Sequence, residues 1–234
     1  MSLAVIPIDH LALTFAPRRW PFAENRRAEI DAHFAERRAR RPQLWNGQVV
    51  LASRYRIDGA RLAGSCFETD FASFLAWRDW GFPDADAVNC FAMGALRSSD
   101  GAFLLGVMGP HTANAGRIYF PAGTPEPEDV ADGALDLAAN LTREVAEETG
   151  LTNEDYVAAA AWHAVPADAR LALMKVLAAD APALELQRRM RAHIAQEKRP
   201  ELADIRIVRA PADFHPMMPP FVTAFLAHVL RDGV

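Results

Sequence analysis

Glu144, Glu147 and Glu148 fall at i, i+3 and i+4 of a stretch whose apolar residues, Leu137, Leu141 and Val145, recur at four-residue steps. That periodicity predicts a helix from about residue 133 to 148, closed by Gly150 as a C-terminal cap. The three carboxylates then share one helical face. Like charges at this spacing repel, and they sit near the end of the helix where the dipole disfavours anions. A divalent cation would offset both costs. Mg²⁺ takes a few carboxylates and keeps its other positions for water and phosphate oxygens. An ion held there polarises a phosphoryl oxygen, activates water and shields the charge of a diphosphate. The plainer reading is a solvated acidic helix surface, the usual fate of a glutamate-rich run.

Three further features accompany the glutamates: Arg143, an apolar residue at 145, and the Gly150-Leu151 stop. The run Arg143-Glu144-Val145-Ala146-Glu147-Glu148-Thr149-Gly150-Leu151 resembles the second half of the Nudix hydrolase signature, Arg-Glu-apolar-x-Glu-Glu-x-Gly-apolar, at every specified position. The first half departs from it. The family pattern places a Gly, five residues, a Glu and seven more residues before the Arg, which falls here on Asp129 and Leu135. Gly123, after Phe120-Pro121-Ala122, resembles the family's glycine turn displaced by a six-residue insertion. Asp136 is the nearest acid to stand in for the missing Glu; two helical turns separate it from Arg143, so the two could share a face.

The resemblance implies a Nudix-type α/β/α sandwich with a mixed sheet, in which residues 123–151 form the signature loop and helix. It implies Glu147 and Glu148 as metal ligands, with Glu144 as a ligand or as the residue that orients the attacking water. The carbonyl of Ala122 would add a metal contact, and Arg143 would hold helix and loop together. Family members recruit a further acid from outside the signature, and Glu197 and Glu201 are the candidates. The ion would be Mg²⁺, with Mn²⁺ as the alternative. The implied reaction is hydrolysis of the diphosphate linkage in a nucleoside diphosphate joined to a second group, giving a nucleoside monophosphate and a phosphorylated partner. Residues 42–47 and 69–74 resemble, faintly, the branch that splits nucleotide sugars of the UDP-glucose type; ADP-ribose and dinucleotides fit equally.

The chain of 234 residues is long enough for one large domain or a core with an extension, and its 51% apolar content supplies a packed interior. The expected division is an N-terminal extension over 1–87 (strand, helix, hairpin, short helix) and a hydrolase core over 88–234. A net charge of −5 argues against a nucleic-acid partner and against capped RNA as substrate. No apolar run approaches the ~18 residues of a membrane span, and the N-terminus lacks a basic-then-apolar leader, so a cytoplasmic protein without a membrane partner is expected. Cys66 and Cys90 lie in apolar stretches without metal-ligand spacing and read as reduced core thiols.

The elements around the signature are read from their patterns. Residues 4–15 look like a strand. Residues 21–40 look helical, with Pro21 early, Pro42 as the stop and Ile30 and Phe34 as the buried stripe. A hairpin over 48–68 turns at Asp58-Gly59, and Thr69 or Asp70 caps a short helix through Phe71, Phe74 and Leu75. A second hairpin spans about 88–107. Two strands flank 166–168, a helix covers 183–197, a strand 205–208, and Pro219-Pro220 open a last helix.

Trp77, Trp80 and Phe82 could stack a base, though such clusters are more often core. Arg78 and Arg97 could meet phosphate, and His111 and His163 could move protons; surface and structural roles are the commoner fates. The competing functional reading is a non-catalytic Nudix fold that senses a nucleotide-like ligand. The N-terminal part could form a homodimer interface, cover the active site, or both.

Overall fold

The computed structural model describes residues 3–232 as two compact units. The first contains the residues up to Asp9, Phe91–Gly123 and those from Leu137 onward; the second contains His10–Cys90 and Thr124–Asp136.

The strand expected over 4–15 is two strands, β1 (Ile6–Ile8) and β2 (His10–Phe15), broken at Asp9 and contributed to different sheets. The helix expected over 21–40 is likewise two, α1 (Pro21–Asn25) and α2 (Arg27–Arg40), because Arg26 leaves helical geometry at φ −115°, ψ 20°. The chain continues through β3 (Gln48–Asp58), β4 (Arg61–Asp70), α3 (Phe71–Asp79), β5 (Asn89–Arg97), β6 (Phe103–Met108) and β7 (Ile118–Tyr119). A two-stranded turn, β8 (Val130–Ala131) and β9 (Ala134–Leu135), precedes α4 (Leu137–Thr149). Then come β10 (Tyr156–Ala158), β11 (Trp162–Ala167), β12 (Arg170–Ala179), α5 (Ala183–Ile194), β13 (Leu202–Val208) and α6 (Pro220–Asp232).

In the first unit an eight-stranded sheet runs β1-β11-β12-β5-β6-β13, with β10 beside β12 and β7 beside β6. Its layering follows from strand alternation. On β5, Phe91 meets Phe221 of α6 across 5.7 Å, whereas a Cβ on Gly94 would lie 2.5 Å from Val145 of α4. Positions 91 and 94 point to opposite faces, so α4 covers one face of the sheet and α6 the other. This unit is the expected helix–sheet–helix sandwich. At Gly94 the missing side chain is what admits Val145.

The second unit holds a mixed five-stranded sheet, β3-β4-β2-β9-β8, in which β2 and β4 run parallel. Helices α2 and α3 pack through Ile30, Phe34, Ala72, Leu75 and Ala76. Asp70 caps α3, its carboxylate accepting from the backbone N–H of Ser73 at 3.0 Å. The segments 42–47 and 69–74 serve this cap together: Asn46 Oδ1 accepts the Ala72 N–H and Gly47 O accepts the Phe71 N–H. Cys66 and Cys90 are free buried thiols, which burial pushes up to about 11 and about 12.

The helix expected from about 133 begins at Leu137. Asp132 and Gly133 both sit in the left-handed region, at φ 51° and 75°, and form the two-residue loop of the β8–β9 hairpin. The insertion after Gly123 is therefore ordered structure: β9 pairs with β2, and Pro125 O accepts the Val50 N–H.

Candidate functional site

Helix α4 presents Glu144, Glu147 and Glu148 toward its last turns, as their spacing requires. Several carbonyls of its last turns are individually met. Thr149 Oγ1 donates to Val145 O at 2.5 Å, the Gly150 N–H to Ala146 O at 2.9 Å, and His193 Nε2 to Glu147 O at 2.8 Å. Gly150 ends the helix at φ +71°, the left-handed cap that glycine takes without steric cost.

Glu148 turns inward and is 5% exposed. Its Oε1 accepts the Ala122 N–H at 3.3 Å, while its Oε2 is buried without a hydrogen-bond partner. Burial pushes this carboxyl well above the ordinary glutamate range; the charge of Glu201 adds to the shift, as do Glu144 and Glu147, and only the Ala122 N–H opposes it. Glu144 lies against the glycine turn so closely that a Cβ on Gly123 would overlap its carboxylate. Arg143 Nη1 pairs with Glu144 Oε1 at 2.8 Å and reaches Glu147 Oε2 at 3.5 Å, which offsets part of the like-charge repulsion. The loop carrying Ala122 and Gly123 is fixed to the sheet by the Gly94 N–H, which donates to Pro121 O at 3.0 Å.

The two acids outside the signature approach the same cluster. Glu201 immediately precedes β13; burial raises its carboxyl, His111 counteracts this, and Glu147 and Glu197 add to it. Glu197 Oε1 lies 3.0 Å from His193 Nε2. Asp136 stands one residue ahead of α4, outside the helix.

Other candidates lie elsewhere. Arg97 pairs with Phe103 across β5 and β6, whereas Glu201 adjoins Leu202, which pairs with Met108 at the other end of β6, about 17 Å along the strand. His163 packs on Phe225 and His228 of α6, on the face of the sheet away from α4. Trp77 is fully buried and donates to Asp84 O, Phe82 packs edge-on against it, and Trp80 contacts Phe22 and His33; these aromatics are core packing of the second unit. His193 was not singled out from sequence, although its i, i+4 relation to Glu197 was there to be read.

Whether the cluster suits a cation depends on the donors. Among the described residues no three His, Cys, Asp or Glu side chains converge as a closed metal cage. Mg²⁺ does not need one, since it uses one or two carboxylates and retains waters. The buried, unpartnered Glu148 Oε2 among like charges is what such an ion would neutralise, and the glycine at 123 is what lets the Glu144 carboxylate lie against the turn.

No family model and no curated protein matches the chain. Among solved structures it is similar to a MutT protein from Methanosarcina mazei Go1, at 20% identity over 62% of this chain and 95% of that one, TM-score 0.41. It is also similar to a Nudix hydrolase from M. smegmatis, RenU, at 15% identity over 62% and 83%, TM-score 0.39. A third match is a bifunctional NMN adenylyltransferase/ADP ribose pyrophosphatase from Francisella tularensis, complexed with AMP and a Mn ion, at 12% identity over 68% and 45%, TM-score 0.42. These likenesses are loose, and the functional reading rests on the residues of α4 and their surroundings. Among the described residues no helix is long and apolar enough to cross a membrane.

Proposed function

We propose that the chain is a Nudix-type hydrolase that cleaves the diphosphate linkage of a small nucleoside diphosphate derivative with a divalent cation, Mg²⁺ or Mn²⁺. Residues 88–234 would carry the chemistry and 1–87 would be the extension that contributes to substrate choice. The observation that carries the reading is Glu148: a buried carboxylate with one oxygen unpartnered, set among Glu201, Glu144 and Glu147. As a purely structural group it would be a liability, since a buried unpaired charge is strongly unfavourable.

Glu147 and Glu148 would hold the cation, with Glu144 as a third ligand or as the group that orients water; the Ala122 carbonyl is a further candidate donor. When bound, the ion shields the diphosphate and lowers the barrier to attack by water. The water oxygen forms a new bond to one phosphorus, the bond from that phosphorus to the bridging oxygen breaks, and the second phosphoryl group leaves with that oxygen. Glu201 is the better candidate for the outside acid that accepts the water proton, since among the neighbouring acids its charge weighs most on Glu148. Glu197 is already engaged by His193. Arg143 holds Glu144 and Glu147 in place through its two ion pairs.

The test is product formation with Mg²⁺ across nucleotide sugars, ADP-ribose, dinucleotides and coenzyme A, for the wild type and Glu148→Gln. Metal-dependent turnover of one class, lost in the variant, supports the reading. Tight binding of one compound by both proteins without turnover would replace it with the ligand-sensing alternative.

A further inference from the structure

Helix α4 closes in an unusual way at the residue that matters. In an uninterrupted helix the Glu147 carbonyl would accept from the N–H of residue 151. Here the Leu151 N–H donates to Thr149 Oγ1 at 3.2 Å, and Glu147 O receives His193 Nε2 at 2.8 Å. A carbonyl can only accept, so Nε2 bears the hydrogen. The same nitrogen lies 3.0 Å from Glu197 Oε1, close enough for a charge contact, while its N–H is directed at Glu147 O. The imidazole rests directly on Gly150, where a Cβ would stand 2.7 Å from its Cγ and Nδ1. The glycine after the signature glutamates thus provides the seat for a histidine as well as the left-handed cap.

His193 belongs to α5, and α5 is fastened to β13 at the same time. Gln187 Nε2 donates to Ile205 O at 2.8 Å and Arg191 Nε to Asp204 Oδ1 at 2.7 Å. Since Glu201 sits at the head of β13, α5 spans the two elements that carry the carboxylates.

We propose that His193 is a positioning residue for the carboxylate cluster: its Nε2–H fixes the last turn of α4 through Glu147 O, with the Glu197 carboxylate held beside the same ring. This rests on the cation reading above. Loss of the bond lets the last turn of α4 relax and releases Glu197, so the cluster binds a divalent ion less well without losing any group that touches the ion. Residues one step behind metal ligands commonly change affinity by about 10–100-fold.

The experiment is Mn²⁺ binding, read from the electron paramagnetic resonance signal of the free ion, with melting temperatures recorded alongside. The proteins are the wild type, His193→Ala, His193→Gln, Glu197→Gln and Glu148→Gln. The expected result is Mn²⁺ affinity about tenfold weaker in His193→Ala, largely restored in His193→Gln, whose amide can donate from the same place, and intermediate in Glu197→Gln. If Glu148→Gln loses Mn²⁺ while His193→Ala binds like the wild type, or if the glutamine restores nothing, the positioning role is overturned and the cation reading stands. Equal Mn²⁺ binding by the wild type and Glu148→Gln would overturn the cation reading, and the positioning role with it.

Discussion

Two carboxylates, one in each unit, show how differently a protein can treat the same group. Asp70 opens α3 and is surrounded by donors: the Ser73 N–H at 3.0 Å, the Ser73 hydroxyl at 2.7 Å and Arg27 Nη1 at 3.0 Å. Burial works against its charge, but Arg27 and Ser73 outweigh that, and the carboxyl is held below the usual aspartate range. Glu148 stands at the opposite kind of helix end. It has one N–H, an unpartnered oxygen and three other glutamates for electrostatic company, and is pushed the other way. A helix N-terminus stabilises an anion and a C-terminus opposes it. Asp70 is satisfied by the fold alone. Glu148 is not satisfied by the fold alone.

The sharpest way to break this contrast is to remove the charge at each position without changing shape. Glu148→Gln should cut Mg²⁺-dependent hydrolysis by orders of magnitude. It should leave the metal-free melting temperature equal to the wild type or higher, because the fold loses an unfavourable charge. A variant that melts several degrees lower, with turnover intact, would make Glu148 a structural residue like Asp70.

Next in size is the cap of α4. Gly150→Ala forces a side chain into the left-handed region, which costs about 1–2 kcal/mol, and drives it against the His193 ring as well. Chemical denaturation should register a loss at the upper end of that range. In a His193→Ala background the loss should shrink toward the backbone cost alone. Equal losses in both backgrounds would show that the imidazole does not press on this position.

The candidate site's local elements were more legible than their frame. The signature glutamates, Arg143 and Gly150 could be read because helix periodicity and capping are local, and α4 carries them as expected. Asp58-Gly59 was read as a hairpin turn, and β3 and β4 flank it. The same dipeptide at 132–133 falls at the junction of the expected loop and helix and gives no hairpin signal there, because strands of two residues leave no alternation to recognise. The break at Asp9, which sends β1 and β2 to different sheets, and the break at Arg26 carry no glycine or proline signal. The role of His193 is hidden for a different reason: beyond its i, i+4 relation to Glu197, its bond to Glu147 spans 46 residues and depends on tertiary packing.

Metal should discriminate the two carboxylates by stability as well. At ten times its dissociation constant, Mg²⁺ should stabilise the wild type by about 1.4 kcal/mol through linkage. That corresponds to a rise of about 3–6 °C in the melting temperature of a chain this size. Asp70→Asn should keep the shift and Glu148→Gln should lose it. A shift retained in Glu148→Gln would place the ion elsewhere.

The smallest effect tests the satisfied member of the pair. Asp70→Asn keeps a capping oxygen but gives up the charge beside Arg27, a partly exposed pair worth about 1 kcal/mol or less. The sign of its pH dependence is fixed by the direction of the shift. A carboxyl held below its unfolded value contributes stability that is fully present above that value, near ~4, and is lost as pH falls through the folded one. The wild type should therefore exceed Asp70→Asn in stability by a constant margin from pH 7 to 5, and the margin should close below about pH 4. A margin that instead widened on acidification would mean that Asp70 is strained by burial, as Glu148 is, and the contrast between the two helix ends would fail.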